Sequence, residues 1–344
     1  MGRFTEARVN RHHELEQYHT PPFYVNMQTE SAHIPECEAP KGSKYHPLFS
    51  FDADVVLASR DGVLFCVPSM TLKMTSSWFR TMFTLPQGSP PAPSRSHNQR
   101  DSTSVSFDTE IITLDEDSST LEALFRMICG LEIPALDAWD AVEPVLFAAE
   151  KYDMPGPASI MRALLRTPTF VDAPLRLYAS ACHFGWGEDA RAASTRSLTL
   201  NLNDPVHRPS LLRLRTPDLL ALFALHYKRR MQFRARIAEA PFLTDAQLSD
   251  TAAARCSRCR EAISYFEWRE LRHSMLSELE RRPAGDTVLT GLEEWPTAQA
   301  CWASKCKKLS CLSPVYDKVL SSKAIKDVLD SLPNAVEVPV YETA

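Results

Sequence analysis

Four cysteines toward the C-terminal end have the residue type and spacing that a metal site requires. Cys256 and Cys259 form a Cys-x-x-Cys pair, whose two thiolates can bind one tetrahedral Zn²⁺. Cys301 and Cys306 follow roughly forty residues later, and we expect them to supply the other two ligands. The sequence therefore predicts a structural zinc site built from these four thiolates.

Two alternatives for this set stay open. Cys311 or His273 could replace one of the four ligands, because cysteine and histidine both bind zinc. The cysteines could also be free buried thiols, which are common in proteins. A redox role for the Cys-x-x-Cys pair is not favoured, because no predicted strand precedes it as in a thioredoxin-like unit.

The remaining motifs argue against an enzyme. The chain has no Gly-x-Ser-x-Gly elbow, no His-Glu-x-x-His pair and no Walker loop. The run Gly185-Trp186-Gly187-Glu188-Asp189-Ala190 imitates the spacing of a dinucleotide fingerprint, but a predicted helix precedes it where a strand is needed. We therefore expect no catalytic residues, no enzymatic activity and no cofactor other than the zinc.

One basic run lies late in a long predicted helix. Lys228-Arg229-Arg230, with Arg234 and Arg236, could serve nuclear import or contact phosphate groups. Cations near a helix C-terminus are favoured by the helix dipole and usually face solvent, so we interpret this run as a solvated face. The net charge of −5 is spread through the chain, so we expect neither a nucleic acid nor a membrane as partner.

Length and composition are typical of an intracellular globular protein. The 344 residues can form two domains, and 44% are hydrophobic and 24% charged. The first residues contain no apolar signal region, and no run approaches the roughly 18 apolar residues of a membrane span. We expect a cytoplasmic or nuclear location and reduced thiols.

The hydrophobic pattern predicts a mixed α/β part followed by helices. Residues 55–57 and 63–67 flank an Asp-Gly turn and predict a β-hairpin. A helix over 69–83, a strand over 110–114 and a helix from 118 follow, the last with capping-box spacing between Ser119 and Glu122. Beyond residue 168 the strand signals stop. Later helices are predicted near 175–182, from Thr216-Pro217, over 268–279 and over 315–332, with Gly185 ending the first.

Two polar segments have no apolar period. Residues 1–46 form a predicted disordered arm and residues 86–109 a disordered insertion. Residues 335–344 are assigned as a tail. The arm holds several histidines, which we interpret as part of a solvated tail and not as metal ligands.

Several runs of the first half, in order, carry a resemblance to a known family. They are Asp54-Val55-Val56-Leu57, Asp61-Gly62-Val63-Leu64-Phe65-Cys66-Val67, Ser77-Trp78-Phe79-Arg80-Thr81-Met82-Phe83, Thr113-Leu114-Asp115-Glu116-Asp117-Ser118 through Leu124, and Phe147-Ala148-Ala149-Glu150-Lys151-Tyr152-Asp153-Met154. Together they resemble the BTB/POZ family, and in particular its expanded group in basidiomycete fungi. The resemblance implies an α+β BTB/POZ-type domain over 47–168, a small sheet capped by helices. An all-α domain over 169–334 would follow, and paired cysteines are a feature of the fungal group.

The resemblance implies a non-enzymatic adaptor for protein–protein interaction. Two further functions stay open: substrate recruitment to a cullin-type ubiquitin ligase, and transcriptional or chromatin regulation. Pro68-Ser69 stands where the family has a histidine and a basic residue that help to shape a partner pocket. Thr84-Leu85-Pro86-Gln87 lacks the acidic residue of many cullin-binding members, so no motif supports cullin binding.

A cluster of large apolar residues predicts self-association of the first domain. Trp78, Phe79, Met82 and Phe83 fall within six positions and cover a wider arc than one inward helix stripe. We expect part of that arc to form a two-fold dimer interface, which uses the same patch twice. The alternative is that neighbouring helices and the sheet cover the whole arc.

Overall fold

The computed structural model describes residues 44–85, 111–238 and 255–337, apart from residue 257. The predicted insertion at 86–109 lies outside the described residues, as do most of the predicted arm and tail. Residues 44–46 nevertheless contact the sheet, since the His46 N–H donates to the Leu64 carbonyl at 2.8 Å. Val336 is buried, and its N–H donates to Ser194 Oγ at 3.1 Å. The folded part therefore begins before residue 47 and extends beyond residue 334.

A small mixed sheet forms the first part of the fold. Its strands are β1 (Val55–Ala58), β2 (Leu64–Val67) and β3 (Ile111–Thr113), in the order β2-β1-β3. β1 pairs antiparallel with β2 and parallel with β3, so the predicted hairpin is confirmed. Helices α1 (Ser69–Thr75) and α2 (Ser77–Met82) lie between β2 and β3 in the chain.

The predicted helix over 69–83 is interrupted at Ser76. This residue is extended (φ −138°, ψ 125°), and its Oγ accepts a hydrogen bond from the Phe79 N–H at 3.0 Å. The same hydroxyl donates to the Tyr152 carbonyl at 2.5 Å, in a helix distant in sequence. A serine N-cap explains the break, because its side chain competes with the helical hydrogen-bond ladder.

A tertiary contact replaces the predicted capping box of the next helix, α3 (Ser118–Cys129). Asp61, in the β1–β2 turn, accepts hydrogen bonds from the Ser118 N–H at 2.9 Å and the Ser118 hydroxyl at 2.6 Å. The Ser118 hydroxyl is the main reason that the pKa of Asp61 falls to about 2. Glu122 instead pairs with Arg126 and lies 3.4 Å from His46. The hairpin turn thus positions α3.

The rest of the described chain is helical, so the molecule is mostly helical with one small three-stranded sheet. The helices after α3 are α4 (Trp139–Lys151), α5 (Pro155–Leu165), α6 (Pro168–Val171), α7 (Pro174–His183), α8 (Gly187–Ser197), α9 (Arg208–Leu211), α10 (Thr216–Arg236), α11 (Phe266–Arg281), α12 (Asp286–Gly291), α13 (Pro296–Ala303) and α14 (Lys318–Asp330). Gly185 follows α7 at φ 69°, which confirms the predicted left-handed cap. No helix in the described ranges is long and apolar enough to cross a membrane.

The buried side chains form two cores that meet within α10. The first extends from Phe49 to Leu225 and includes Val336, and the second extends from Phe233 to Leu332. The hydrophobic pattern of the sequence predicted a domain boundary at residue 168 instead.

Side-chain contacts explain why the first core continues past residue 168. Glu143 of α4 is buried and accepts hydrogen bonds from Arg176 of α7 at 2.9 Å and from Arg213 at 2.6 Å. Buried Tyr178 of α7 donates to the Asp218 carbonyl at 3.1 Å. Helices after residue 168 were assigned to the helical domain because the predicted strands stop there. Some of these helices nevertheless pack on the sheet-containing part.

Arg229, in the basic run of α10, is buried and not solvated as predicted. Its guanidinium donates to backbone carbonyls at N···O distances of 2.5 to 3.3 Å, those of Pro283, Ala284, Leu329, Leu332 and Pro333. Pro283 and Ala284 lie just past the end of α11, Leu329 lies in the last turn of α14, and Leu332 and Pro333 follow α14. One side chain therefore joins the segments at the C-terminal ends of two helices, while Lys228 and Arg234 on the same helix are exposed.

Replacing Arg229 with methionine should lower the free energy of unfolding by about 3 kcal/mol, because several buried carbonyls lose their donors at once. Urea denaturation of the purified chain measures the change. Arg234→Met, on the exposed face of the same helix, is the matched control and should change stability by less than about 0.5 kcal/mol. Equal effects of the two substitutions would contradict this account of Arg229.

A second prediction concerns His226, one turn before Arg229. His226 is buried, with Nε2 3.1 Å from Ser197 Oγ, and burial, helped by the charges of Arg230 and Arg229, lowers its pKa to about 4. The unfolded histidine takes up a proton near its ordinary pKa, so between about pH 6.5 and 4 only the unfolded state is protonated. The free energy of unfolding should therefore fall as pH drops, by up to about 1.4 kcal/mol per unit. His226→Gln should flatten this slope, and parallel pH profiles of the two proteins would refute the assignment.

Candidate metal centre

Two short hairpin turns carry the cysteines. In the first, Arg255 pairs with Ala262 in an antiparallel bridge, the Cys256 N–H donates to the Glu261 carbonyl at 2.8 Å, and the Arg260 N–H donates back to the Cys256 carbonyl at 2.9 Å. We call residues 255–262 the first knuckle. Its backbone turns tightly enough to direct both cysteines of the pair toward one point.

The second knuckle, residues 305–314, is closed in the same way. Lys305 pairs with Pro314, the Cys306 N–H donates to the Ser313 carbonyl at 2.9 Å, and the Cys311 N–H donates to the Lys308 carbonyl at 2.8 Å. A turn inside the hairpin therefore accommodates the Cys306–Cys311 spacing, which is longer than the Cys256–Cys259 spacing.

The four thiols of the two knuckles converge. The Sγ atoms of Cys256, Cys259, Cys306 and Cys311 all lie within 4.8 Å of one another. Cys256 Sγ is 3.8 Å from Cys311 Sγ, and Cys259 Sγ is 3.4 Å from Cys306 Sγ. Four sulfurs placed about 2.3 Å from one zinc in a tetrahedron are about 3.8 Å apart. The donor set and its size fit a closed, structural Cys₄ zinc site.

Three of the four predicted ligands belong to this group, and Cys301 does not. Cys301 is on α13, fully buried in the second core with Ala298, and burial raises the pKa of its thiol to about 12. The sequence spacing does not distinguish Cys301 from Cys311, since each lies five residues from Cys306. Cys301 lies within α13, which ends at Ala303, and this helix directs its side chain into the core. Cys311 is therefore the fourth thiol of the group. His273, the other proposed substitute, lies on the exposed face of α11 outside the group.

A shared backbone feature was missed in the sequence. Arg260 and Leu312 have φ values of 62° and 46°, and each directly follows the second cysteine of its knuckle. A non-glycine residue rarely adopts this left-handed conformation, which costs on the order of 1 kcal/mol. Both knuckles therefore make the same strained turn, although neither has the glycine that would have signalled it.

Hydrogen bonds around the sulfurs favour the thiolate at two positions. The Ser313 hydroxyl lies 3.3 Å from Cys256 Sγ and 3.2 Å from Cys311 Sγ. This hydroxyl, with the N–H groups of Cys259 and Arg258, lowers the pKa of Cys256 to about 6. The Ser313 hydroxyl and N–H lower the pKa of Cys311 as well.

The pKa of Cys259 indicates what a bound cation would contribute. The Glu261 N–H acts to lower its pKa, but desolvation and the neighbouring thiols of Cys306 and Cys311 outweigh this effect and raise the pKa to about 12. Four thiolates this close repel one another, so complete deprotonation needs a bound positive charge. Zn²⁺ supplies that charge without redox chemistry.

Aromatic side chains connect the knuckles to the second core. The ring of Tyr316, just after the second knuckle, lies 5.9 Å from Tyr265 and 6.0 Å from buried Trp268. Tyr265 and Trp268 belong to the start of α11, which follows the first knuckle. A metal bound by both knuckles would therefore fix the beginning of α11 against the segment that leads into α14.

The residues predicted to bind a partner are only partly exposed. Trp78 is 39% exposed and contacts the Tyr152 ring edge-on, while Phe79 is fully buried and stacks on the same ring. Met82 and Phe83 are partly buried against the first core. Within the arc that was expected to form part of a dimer interface, Phe79 is therefore covered by the first core and Trp78 is the most exposed residue.

No protein-family model matches this chain, and a search of curated proteins finds no match either.

The metal centre makes a prediction that separates Cys311 from Cys301. Metal analysis of the reduced, purified chain should find one zinc per molecule, and Cys311→Ser should lower zinc affinity by at least about 100-fold because one of four thiolates is lost. Cys301→Ser is the matched control: it should retain stoichiometric zinc although it places a hydroxyl in the core. Retention of zinc by the first variant and loss by the second would restore the ligand set predicted from spacing.

Proposed function

We propose that this protein is a non-enzymatic adaptor for protein–protein interaction, with a BTB/POZ-type first part and a zinc-containing helical part. The strand order β2-β1-β3, with a helix pair between β2 and β3 and helices α3–α5 after β3, supports the first half of this proposal. It is the arrangement that the sequence resemblance implies, a small sheet capped by helices. The convergence of the cysteines supports the second half.

The observation that carries the proposal is a pair of exposed apolar faces. The first lies on α1 and α2, where Met70, Met74 and Trp78 are 66%, 73% and 39% exposed. Met70 and Met74 are four residues apart in α1 and so lie on one side of that helix, and Trp78 is exposed in α2, just after the break at Ser76. Methionine and tryptophan are enriched where proteins bind one another. We propose this face as the two-fold contact between copies of the chain.

The second apolar face lies on α10. Leu220, Phe223, Tyr227 and Met231 are all exposed and recur at helical spacing. The opposite side of the same helix is buried, through Leu222 and Leu225 in the first core and Phe233 in the second. A helix that is apolar on both sides normally has a partner on each. This face continues into a cleft between α10 and α11 whose lining includes Met231, Leu276 and Arg230.

Two faces on different parts of one chain are what an adaptor needs. The α1–α2 face would join copies of the chain, and the α10 face would bind a second protein. Binding is then the whole mechanism, and no bond is made or broken. The zinc would act at a distance from both faces, by holding α11 in place and thus one wall of the α10 cleft.

Sedimentation of the full chain at micromolar concentration, under reducing conditions, tests the self-association. The wild type should sediment as a dimer, and Met74→Glu should weaken the dimer by at least about tenfold because a charge would be buried in an apolar contact. Leu212→Glu is the matched control, since Leu212 is a leucine 74% exposed outside the α1–α2 face. A monomeric wild type, or equal weakening by both substitutions, would refute the proposed contact.

A further inference from the structure

One stretch of the chain concentrates positive charge in a protein whose net charge is −5. Residues 305–326 contain six lysines and one acidic residue, Asp317. All the lysines of this stretch are exposed: Lys305, Lys307, Lys308, Lys318, Lys323 and Lys326. We call residues 305–326 the lysine segment. It comprises the second knuckle, a short connection and most of α14.

The same segment exposes large apolar side chains. Leu309, in the turn of the second knuckle, is 88% exposed, and Leu312 is 51% exposed. Val319 and Leu320, in the first turn of α14, are 75% and 62% exposed. They lie on the side of α14 opposite to buried Ile325, so the second core does not use them.

Folding and metal binding account for only part of this pattern. A zinc with four thiolates carries two negative charges, which nearby cations can offset. Arg255, Arg258 and Arg260 of the first knuckle are exposed beside the site and already supply such cations. Lys318 pairs with Glu293 at 3.2 Å, a surface contact of little energetic weight. Neither role explains four exposed aliphatic side chains among the lysines.

Although the overall charge of the chain led us to expect no membrane partner, we propose that the lysine segment, where positive charge is concentrated, binds the surface of an anionic lipid bilayer. Leu309 would enter the boundary between head groups and acyl chains, with Leu312 beside it. Lys307 and Lys308 would contact anionic head groups, where each nearby cation strengthens binding by about fivefold. The segment would lie on the membrane and not cross it.

The composition of the segment favours a bilayer over other acidic partners. Its cations are all lysine, a residue depleted in the cores of protein–protein interfaces, where arginine is enriched. Its exposed apolar residues are leucine and valine, which cannot stack on bases as aromatic side chains do in single-stranded nucleic acid sites. Leu309 also projects from a turn, a shape suited to insertion into a soft planar surface. The inference is independent of the adaptor function proposed above.

Vesicle sedimentation of the full, zinc-loaded chain tests the inference. Vesicles of phosphatidylcholine with about 30% phosphatidylserine should bind at least roughly tenfold more protein than phosphatidylcholine alone at about 0.1 M salt. The double variant Lys307→Gln, Lys308→Gln should reduce this binding at least tenfold, and Leu309→Gln roughly fivefold. Lys228→Gln and Leu212→Gln, at exposed positions outside the segment, are the matched controls and should bind as the wild type does.

Three results would overturn the proposal. The first is equal binding to the two vesicle compositions. The second is equal loss in the segment variants and their controls. The third is binding that the lysine substitutions abolish but Leu309→Gln leaves unchanged, together with comparable binding to duplex DNA. That result would identify a general polyanion site and not a membrane surface.

Discussion

The guanidinium of Arg229 is the contact on which the second half of the molecule depends. The carbonyls that it binds include Pro283, just past the end of α11, and Leu332, just past the end of α14, so two helices finish near one buried cation. A positive charge at this point complements both helix dipoles and donates hydrogen bonds to these backbone carbonyls. Because Arg229 lies in α10, where the two cores meet, it also ties the second core to the first.

The cluster of four thiols is the counterpart of Arg229 at the other ends of the same helices. The first knuckle immediately precedes α11, and the second knuckle leads into α14. Each helix therefore extends from the thiol cluster to the guanidinium, and a metal bound by the thiols would hold its second end. A small core of this kind contains few apolar residues, and a metal can supply stability that its hydrophobic packing does not. The strained turns at Arg260 and Leu312 are consistent with a site whose binding energy offsets a local cost.

This arrangement leaves surfaces free for binding. The α10 helix is buried on one side by both cores and exposes Tyr227 and Met231 on the other. Packing on the buried side holds the helix in place, so its exposed apolar face remains available for binding. The second knuckle exposes Leu309 in a similar way: backbone hydrogen bonds of Cys306 and Cys311, on either side of it, close the turn, and the tip of the turn is exposed. In both cases a rigid element presents apolar side chains that the fold itself does not require.

The sequence by itself determined the local elements and identified three of the four cysteines that converge. The spacing of hydrophobic residues and the types of the turn residues predicted the β-hairpin, the cap at Gly185 and the long α10. These elements depend on neighbours within a few positions. The tertiary structure alone decided which residues meet. It selected Cys311 over Cys301, because the end of α13 and not the spacing sets their directions. It buried Arg229 within a run that resembles a solvated face, and it supplied Asp61 as the cap of α3. Such pairings join residues that are far apart in the sequence, so they leave no periodic pattern of residue types. Neither residue of a pair carries a sequence feature that identifies its partner.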